Sequence, residues 1–198
     1  MLYSVCRAIL KFFLALMGFK TEGIHKLPEK GPVIIAANHM SNWDPVMVGV
    51  ALPRPIHFIA KAELFENRIM SIMLSRLNAF PVKRGSTDIK AIRYALDILK
   101  DGGLLGIFPE GARKKLYPDA VVQTGVAMFA LKSGAPVIPV ACIGTDRTVP
   151  FGWFKPLLVR VGEPINLSDF AGKKISSALL QDASLTIMNA VNALLEQE

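Results

Sequence analysis

His39 and Asp44 are the two residues of this chain whose types and spacing most readily do chemistry together. They lie in the polar run Asn38-His39-Met40-Ser41-Asn42-Trp43-Asp44-Pro45, directly after the apolar run 33–37. An imidazole can take a proton from a hydroxyl, and a carboxylate can fix its tautomer and stabilise the imidazolium as it forms. Those are two parts of an acyl-transfer site. A separation of five does not put both side chains on one helix face, so a turn must bring them together. Pro45 suits the first position of a helix, with Asp44 as its N-cap and His39 above the turn. Spacing alone leaves a simpler reading open, a surface histidine near a capping aspartate, because His-x4-Asp often arises by chance.

Three further groups qualify. Glu110 sits between Pro109 and Gly111 in a tight corner, where it could bind an acceptor hydroxyl or organise the loop; otherwise it caps or pairs locally. Arg84 and Arg113 could grip a phosphate, since guanidinium groups match phosphate oxygens in bidentate fashion. Lys61, after the run 56–60, is a candidate of the same kind. A lone arginine or lysine is more commonly solvated surface charge. Other schemes fit poorly. There is no Gly-x-Ser-x-Gly elbow, P-loop or dinucleotide fingerprint, and Gly102-Gly103 reads as a helix stop. His25 and His57 stand apart from carboxylate clusters, so no metal site is expected. Cys6 and Cys142 fit no metal or redox spacing, which points to a reduced, cytoplasmic setting. Cys142, inside an apolar run, reads as inert core. Trp153 could touch lipid or lie in the core.

The elements that must position these groups alternate along the chain. Apolar runs at 33–37, 56–60, 79–82, 104–108, 137–142 and 157–161 read as strands. Helical patterns follow Pro45 and occupy 64–77, 88–100, 121–132 and 174–195. In 88–100, Ile89, Ile92, Leu96 and Leu99 form one apolar face; in the last helix Leu185, Met188, Val191 and Leu195 have similar spacing. This predicts a single α/β domain with a largely parallel central sheet flanked by helices. Ligands of such sheets bind beyond the carboxyl ends of the strands. His39, Lys83-Arg84-Gly85 and Pro109-Glu110-Gly111 each follow a predicted strand, so parallel neighbours would bring them to one edge.

With 198 residues, a formal net charge of +7 and 52% hydrophobic residues, the chain is basic yet apolar. That balance favours a membrane surface over nucleic acid, which is usually met by stripes of Lys and Arg with aromatic platforms. The cationic residues here are scattered apart from Arg113-Lys114-Lys115. Residues 1–20 form a distinct segment. Phe12, Phe13, Leu14, Leu16, Met17 and Phe19 crowd it, while Ser4, Arg7, Lys11 and Gly18 fall on one narrow stripe of a helix. No uncharged stretch reaches the roughly 20 residues of a membrane span. The pattern predicts an amphipathic helix in the membrane interface, with Phe12 and Phe13 in the apolar layer and Arg7 and Lys11 on lipid phosphates.

Taken in order, four segments resemble the 1-acylglycerol-3-phosphate acyltransferase family of phospholipid synthesis: Asn38-His39-Met40-Ser41-Asn42-Trp43-Asp44, Phe80-Pro81-Val82-Lys83-Arg84-Gly85, Phe108-Pro109-Glu110-Gly111-Ala112-Arg113 and Val137-Ile138-Pro139-Val140. The resemblance covers residues 24–165, with a short apolar N-terminus like that of the compact bacterial members. It implies a catalytic domain over 21–198 that acylates lysophosphatidic acid to phosphatidic acid, using acyl-CoA or acyl carrier protein as co-substrate, without metal or bound cofactor. It also implies His39 as general base with Asp44, a phosphate and acceptor site shaped by Arg84, Glu110, Gly111 and Arg113, and Pro139 in the donor pocket. Membrane lipids are the expected surroundings, at the cytoplasmic face of the cell membrane, with peripheral or monotopic attachment. The chain departs from the family pattern at Ala112 and Lys114, where Thr and Ser are commoner, and at Val122-Gln123-Thr124-Gly125, where many relatives carry Phe-Lys-x-Gly. Rival readings are acylation of glycerol-3-phosphate or of another lysolipid such as a lyso-ornithine lipid, and a non-catalytic membrane-binding protein on the same scaffold.

Overall fold

The apolar runs fold as strands of one sheet in a computed structural model that describes residues 2–83, 88–111, 122–145 and 157–197. The strands are β1 (Lys20–Glu22), β2 (Val33–Ala37), β3 (Ile56–Lys61), β4 (Ala79–Val82), β5 (Leu104–Ile107), β6 (Val137–Ile143) and β7 (Leu158–Val161). The helices are α1 (Leu2–Leu16), α2 (Asp44–Ala51), α3 (Arg68–Arg76), α4 (Ile89–Lys100), α5 (Gly125–Ser133) and α6 (Ser177–Leu195). Sheet order is β1-β7-β6-β2-β5-β3-β4. Strands β2 to β6 run parallel to one another, whereas β7 runs antiparallel to β6, and β1 lies parallel to β7. The largely parallel sheet is therefore observed, with its reversal at β7.

Strand β2 is buried along its whole length and sits between β5 and β6. Its side chains alternate between two apolar layers. Val33, Ile35 and Ala37 face the layer built with α1 and α2; Ile34 and Ala36 face the layer of α4, α5 and α6. Burial on both faces explains why the strand reads as a continuous apolar run. Each fully buried isoleucine contributes about 1.5–3 kcal/mol relative to an exposed one.

Two helices keep most of the expected face, with Ile92 and Leu96 packed partly buried on the core, and differ at their end residues. In α4 the buried residues are Ala91, Ala95, Ile98 and Leu99, while Ile89 is exposed. In α6 they are Ala183, Ser184, Ile187, Met188, Val191 and Leu194, while Leu185 and Leu195 are exposed. Small alanines let α4 press closely on its neighbours, whereas the buried stripe of α6 is mostly of larger apolar residues. The segment 64–77 divides into a 3₁₀ turn and α3, whose N-terminus is capped by the Asn67 carboxamide oxygen accepting from Ile69 and Met70 N–H. Helix α3 contributes no buried residue.

At the N-terminal edge of the parallel strands, the Arg54 guanidinium donates to the carbonyls of Pro28, Gly31 and Gly102 at 2.9, 2.7 and 2.7 Å. It ties together the approaches to β2, β3 and β5. Helix α1 packs on the α2 side of the sheet through Leu14, which is 3% exposed, while Phe12, Phe13 and Leu16 are 63%, 56% and 65% exposed. The Tyr3 hydroxyl donates to the Gly49 carbonyl of α2. Burial raises the Tyr3 phenol pKa, and the Ile56 backbone and the Arg7 charge partly offset that rise. No helix among the described residues is long and apolar enough to cross a membrane.

Candidate active site

Two loops meet beyond the carboxyl ends of β2 and β5, against the end of β6. The first begins at Asn38, which is buried at 1% exposure. Its side-chain amide donates to the Cys142 carbonyl at 3.0 Å, and its carboxamide oxygen accepts from the Cys142 N–H at 2.7 Å. A side chain thus supplies two bonds to β6 just after β2 ends. The backbone is free to turn at His39, the next residue.

That turn is closed by Asp44. Its Oδ2 accepts from His39 Nδ1 at 2.9 Å, from Met40 N–H at 2.6 Å and from Ser41 N–H at 2.7 Å. Asp44 is fully buried and already belongs to α2, whose preceding residue Trp43 gives no side-chain cap. The expected N-cap role is thereby corrected. The carboxylate turns back onto the loop amides rather than forward onto the helix amides, because the short loop presents two N–H groups and the imidazole to a single oxygen. A negative charge here also suits the positive end of α2. The other oxygen, Oδ1, is buried without a hydrogen-bond partner among the described residues. With Nδ1 donating to Asp44, the imidazole carries its basic lone pair on Nε2. The His39 side chain keeps 17% exposure, and Nε2 makes no hydrogen bond among the described residues.

The second loop follows β5. Glu110, 7% exposed, accepts the His39 backbone N–H through Oε2 at 3.3 Å. The Gly111 N–H donates to the Phe108 carbonyl, and the Gln123 N–H to the Pro109 carbonyl. Gly111 has a φ of 66°, a conformation glycine adopts without strain, and a Cβ there would approach Gln123 Cγ at 2.7 Å. Phe108 lies against the His39 ring. From β6 comes Cys142, whose thiol pKa is raised far above the usual range, first by burial and then by the negative charge of Asp44. It is a core residue, as its apolar run implied.

The structure therefore brings His39, Asp44, Glu110 and Gly111 together. Lys61 ends β3 on the same sheet edge, exposed and paired with Glu63 at 3.0 Å. Pro139 is not brought to this cluster. It is buried inside β6 opposite Ala36, sharing the Val137 face, and packs beside Gly162 and Leu194 under α6. Arg84 and Arg113 lie outside the described residues, as do Ala112, Lys114 and Trp153. Of the interface residues, Lys11, Phe12 and Phe13 are exposed; Arg7 is half-buried near Tyr3, with its Nε buried and unpartnered. Sequence reasoning missed Asn38, Arg54 and the ring contacts of Phe108. The isolated cation in Pro53-Arg54-Pro55 and the amide beside His39 were the available signals.

Comparisons with known proteins place the chain in a family. The 1-acyl-sn-glycerol-3-phosphate acyltransferase of Bacillus subtilis is 33% identical over 172 residues, covering 86% of this chain and 85% of that protein. The protein of the same name from Borreliella burgdorferi is 30% identical over 153 residues, covering 73% of this chain and 60% of its own length. Among solved structures, the 1-acyl-sn-glycerophosphate (LPA) acyltransferase PlsC from Thermotoga maritima superposes with a TM-score of 0.65 at 26% identity, covering 98% of this chain and 83% of that one. The family model described as Acyltransferase matches residues 18–143, the stretch that holds His39, Asp44, Glu110 and the strands beneath them, and the chain belongs to that family.

Proposed function

We propose that this protein transfers a fatty acyl group from acyl-CoA or acyl carrier protein to the free hydroxyl of 1-acylglycerol-3-phosphate, giving phosphatidic acid. The observation that carries this reading is the His39–Asp44 pair at 2.9 Å, at the carboxyl edge of the sheet of an acyltransferase whose relatives bear that activity in their names. His39 Nε2 takes the hydroxyl proton as the acceptor oxygen attacks the thioester carbonyl carbon. Asp44 stabilises the imidazolium. The tetrahedral intermediate collapses with cleavage of the carbon–sulfur bond, and the departing thiolate receives the proton from His39. Ester and free thiol result, and the base is regenerated. A positioned base supplies roughly 10²–10⁴-fold; orientation and stabilisation of the oxyanion supply the remainder.

Glu110 holds the His39 main chain in this reading, and Lys61, Arg84 and Arg113 serve the acceptor phosphate. The reaction needs no metal or resident cofactor. The exposed face of α1 lies in the cytoplasmic leaflet, where acceptor and product dissolve, with Phe12, Phe13 and Leu16 in the apolar layer and Lys11 on headgroups.

The test is acyl transfer from labelled acyl-CoA, and separately from acyl carrier protein, to lysophosphatidic acid on vesicles, with His39→Ala as control. Phosphatidic acid that depends on His39 is the expected result. Faster acylation of glycerol-3-phosphate or of a lysolipid without phosphate would overturn the acceptor assignment. Equal turnover by His39→Ala would overturn the base.

A further inference from the structure

The hydrogen bond to Asp44 fixes one edge of the His39 ring, and the bond from its own N–H to Glu110 fixes its main chain. Neither sets the plane of the ring. The ring lies in a stack of three rings drawn from three neighbouring strands. Phe108, following β5, lies on His39 with centroids 4.3 Å apart and an interplanar angle of 25°. Phe58 of β3 backs Phe108 at 5.7 Å and 11°.

The stack has a footing in the sheet. Phe58 pairs across the strands with Gly106 of β5. A Cβ at residue 106 would come 2.4 Å from Phe58 Cε1, 2.5 Å from Cδ1 and 2.9 Å from Ile56 Cδ1. The Phe58 ring occupies the space that any other residue at 106 would fill. A glycine inside an apolar strand, costly for strand formation, is explained by this close approach.

We propose that Phe108, backed by Phe58 over Gly106, is a positioning residue that holds the plane of the His39 imidazole for proton abstraction. The proposal rests on His39 acting as the base. An aliphatic residue of similar size would fill the volume, but it would lack a π-face. When His39 takes the hydroxyl proton, the imidazolium lies over the negative face of the Phe108 ring, within the roughly 6 Å range of a cation–π contact. The stack is then stronger as charge develops than in the resting enzyme. Its loss therefore falls on kcat rather than on binding.

The experiment compares Phe108→Leu, Phe108→Tyr, Gly106→Ala and His39→Ala, each with its melting temperature measured. Phe108→Leu should lower kcat about tenfold, the scale of one cation–π contact, with donor and acceptor KM within about twofold. Phe108→Tyr, which keeps the ring, should restore most of the rate. Gly106→Ala forces Phe58 aside, so its loss combined with Phe108→Leu should be less than additive. A second readout needs no turnover. Selectively labelled histidine spectra should show the His39 ring protons shielded by Phe108 in the wild type and shifted downfield in Phe108→Leu. Unmoved His39 signals, or a rate loss that Phe108→Tyr fails to restore, would overturn the proposal. Full activity in His39→Ala would remove the base itself, a failure seen separately from the ring-proton result.

Discussion

At the N-terminal edge of the parallel strands, Arg54 gives three hydrogen bonds, all to main-chain carbonyls of the segments entering β2 and β5. At the opposite edge, Asp44 collects three bonds on one oxygen and, among the described residues, leaves the other buried and unpartnered and turns a histidine so that its second nitrogen stays open. Both are charged side chains tying loops to the same sheet. One arrangement is closed and can only hold the fold. The other contains an unsatisfied acceptor and an exposed ring edge, features that stability alone does not favour. Where polar capacity remains unused is thus a better guide to chemistry than where charges occur.

The contrast is broken most sharply by exchanging what each edge loses. His39→Gln should reduce acyl transfer by about 10²–10⁴-fold while leaving the denaturation midpoint nearly unchanged, as read by initial rates and urea unfolding. Arg54→Ala should do the reverse. Three carbonyls lose a charge-assisted donor at once, so stability should fall by about 3–5 kcal/mol. The protein that remains folded should turn over at close to the normal rate. A rate collapse in Arg54→Ala at a temperature where it is fully folded would show that the lower edge also serves catalysis.

Helix α1 sharpens the comparison from outside the sheet. Its outward residues can be changed without touching the core, so Phe12→Ser with Phe13→Ser should weaken co-sedimentation with anionic vesicles and leave the melting temperature unaltered. Removing the whole segment is a poorer test, because Leu14 is part of the core. A smaller effect concerns Cys142. Its buried, electrostatically disfavoured thiolate should resist alkylation in the native protein and react once the chain is unfolded. The smallest is Asp88, whose carboxyl pKa is held below the usual range first by the Ala91 N–H and then by the Lys83 N–H. Its folded value lies below its unfolded one. Its stabilisation is therefore present above about pH 4 and is lost as pH falls through the folded value. Asp88→Asn should lower the melting temperature slightly at pH 7, and the gap should close in strong acid.

Six of the seven strands were legible as apolar runs: β2, β5 and β6 because they are buried on both faces, β3, β4 and β7 because enough apolar residues remain where burial is partial. β1 was not, since Lys20, Thr21 and Glu22 are all exposed and owe their strand to pairing with β7. The antiparallel course of β7 was hidden for a related reason: an apolar strand carries no sign of its direction. Ile89 and Leu185 were misplaced because size was read as burial: the faces they were assigned to are otherwise buried or packed on the core, but these two residues lie exposed. At the site, residue types disclosed His39, Asp44 and Glu110. They could not disclose that Asp44 would face backward, which depends on where the loop amides fall. Nor could they disclose Phe58, whose partner Phe108 is fifty residues away and whose place depends on an absent methyl group at Gly106.

The pair of bonds between Asn38 and Cys142 has a consequence for how the site can be watched. The Cys142 N–H is held by a side chain, not by the backbone of β2. Its exchange with solvent deuterium therefore reports whether Asn38, and with it the start of the His39 turn, is seated. Slow exchange at Cys142 that is lost in Asn38→Ala, with neighbouring amides of β6 still protected, would separate local opening of the active-site loop from unfolding of the sheet. A single amide in the core would then serve as a gauge of the loop's readiness, legible in the resting protein before any lipid is added.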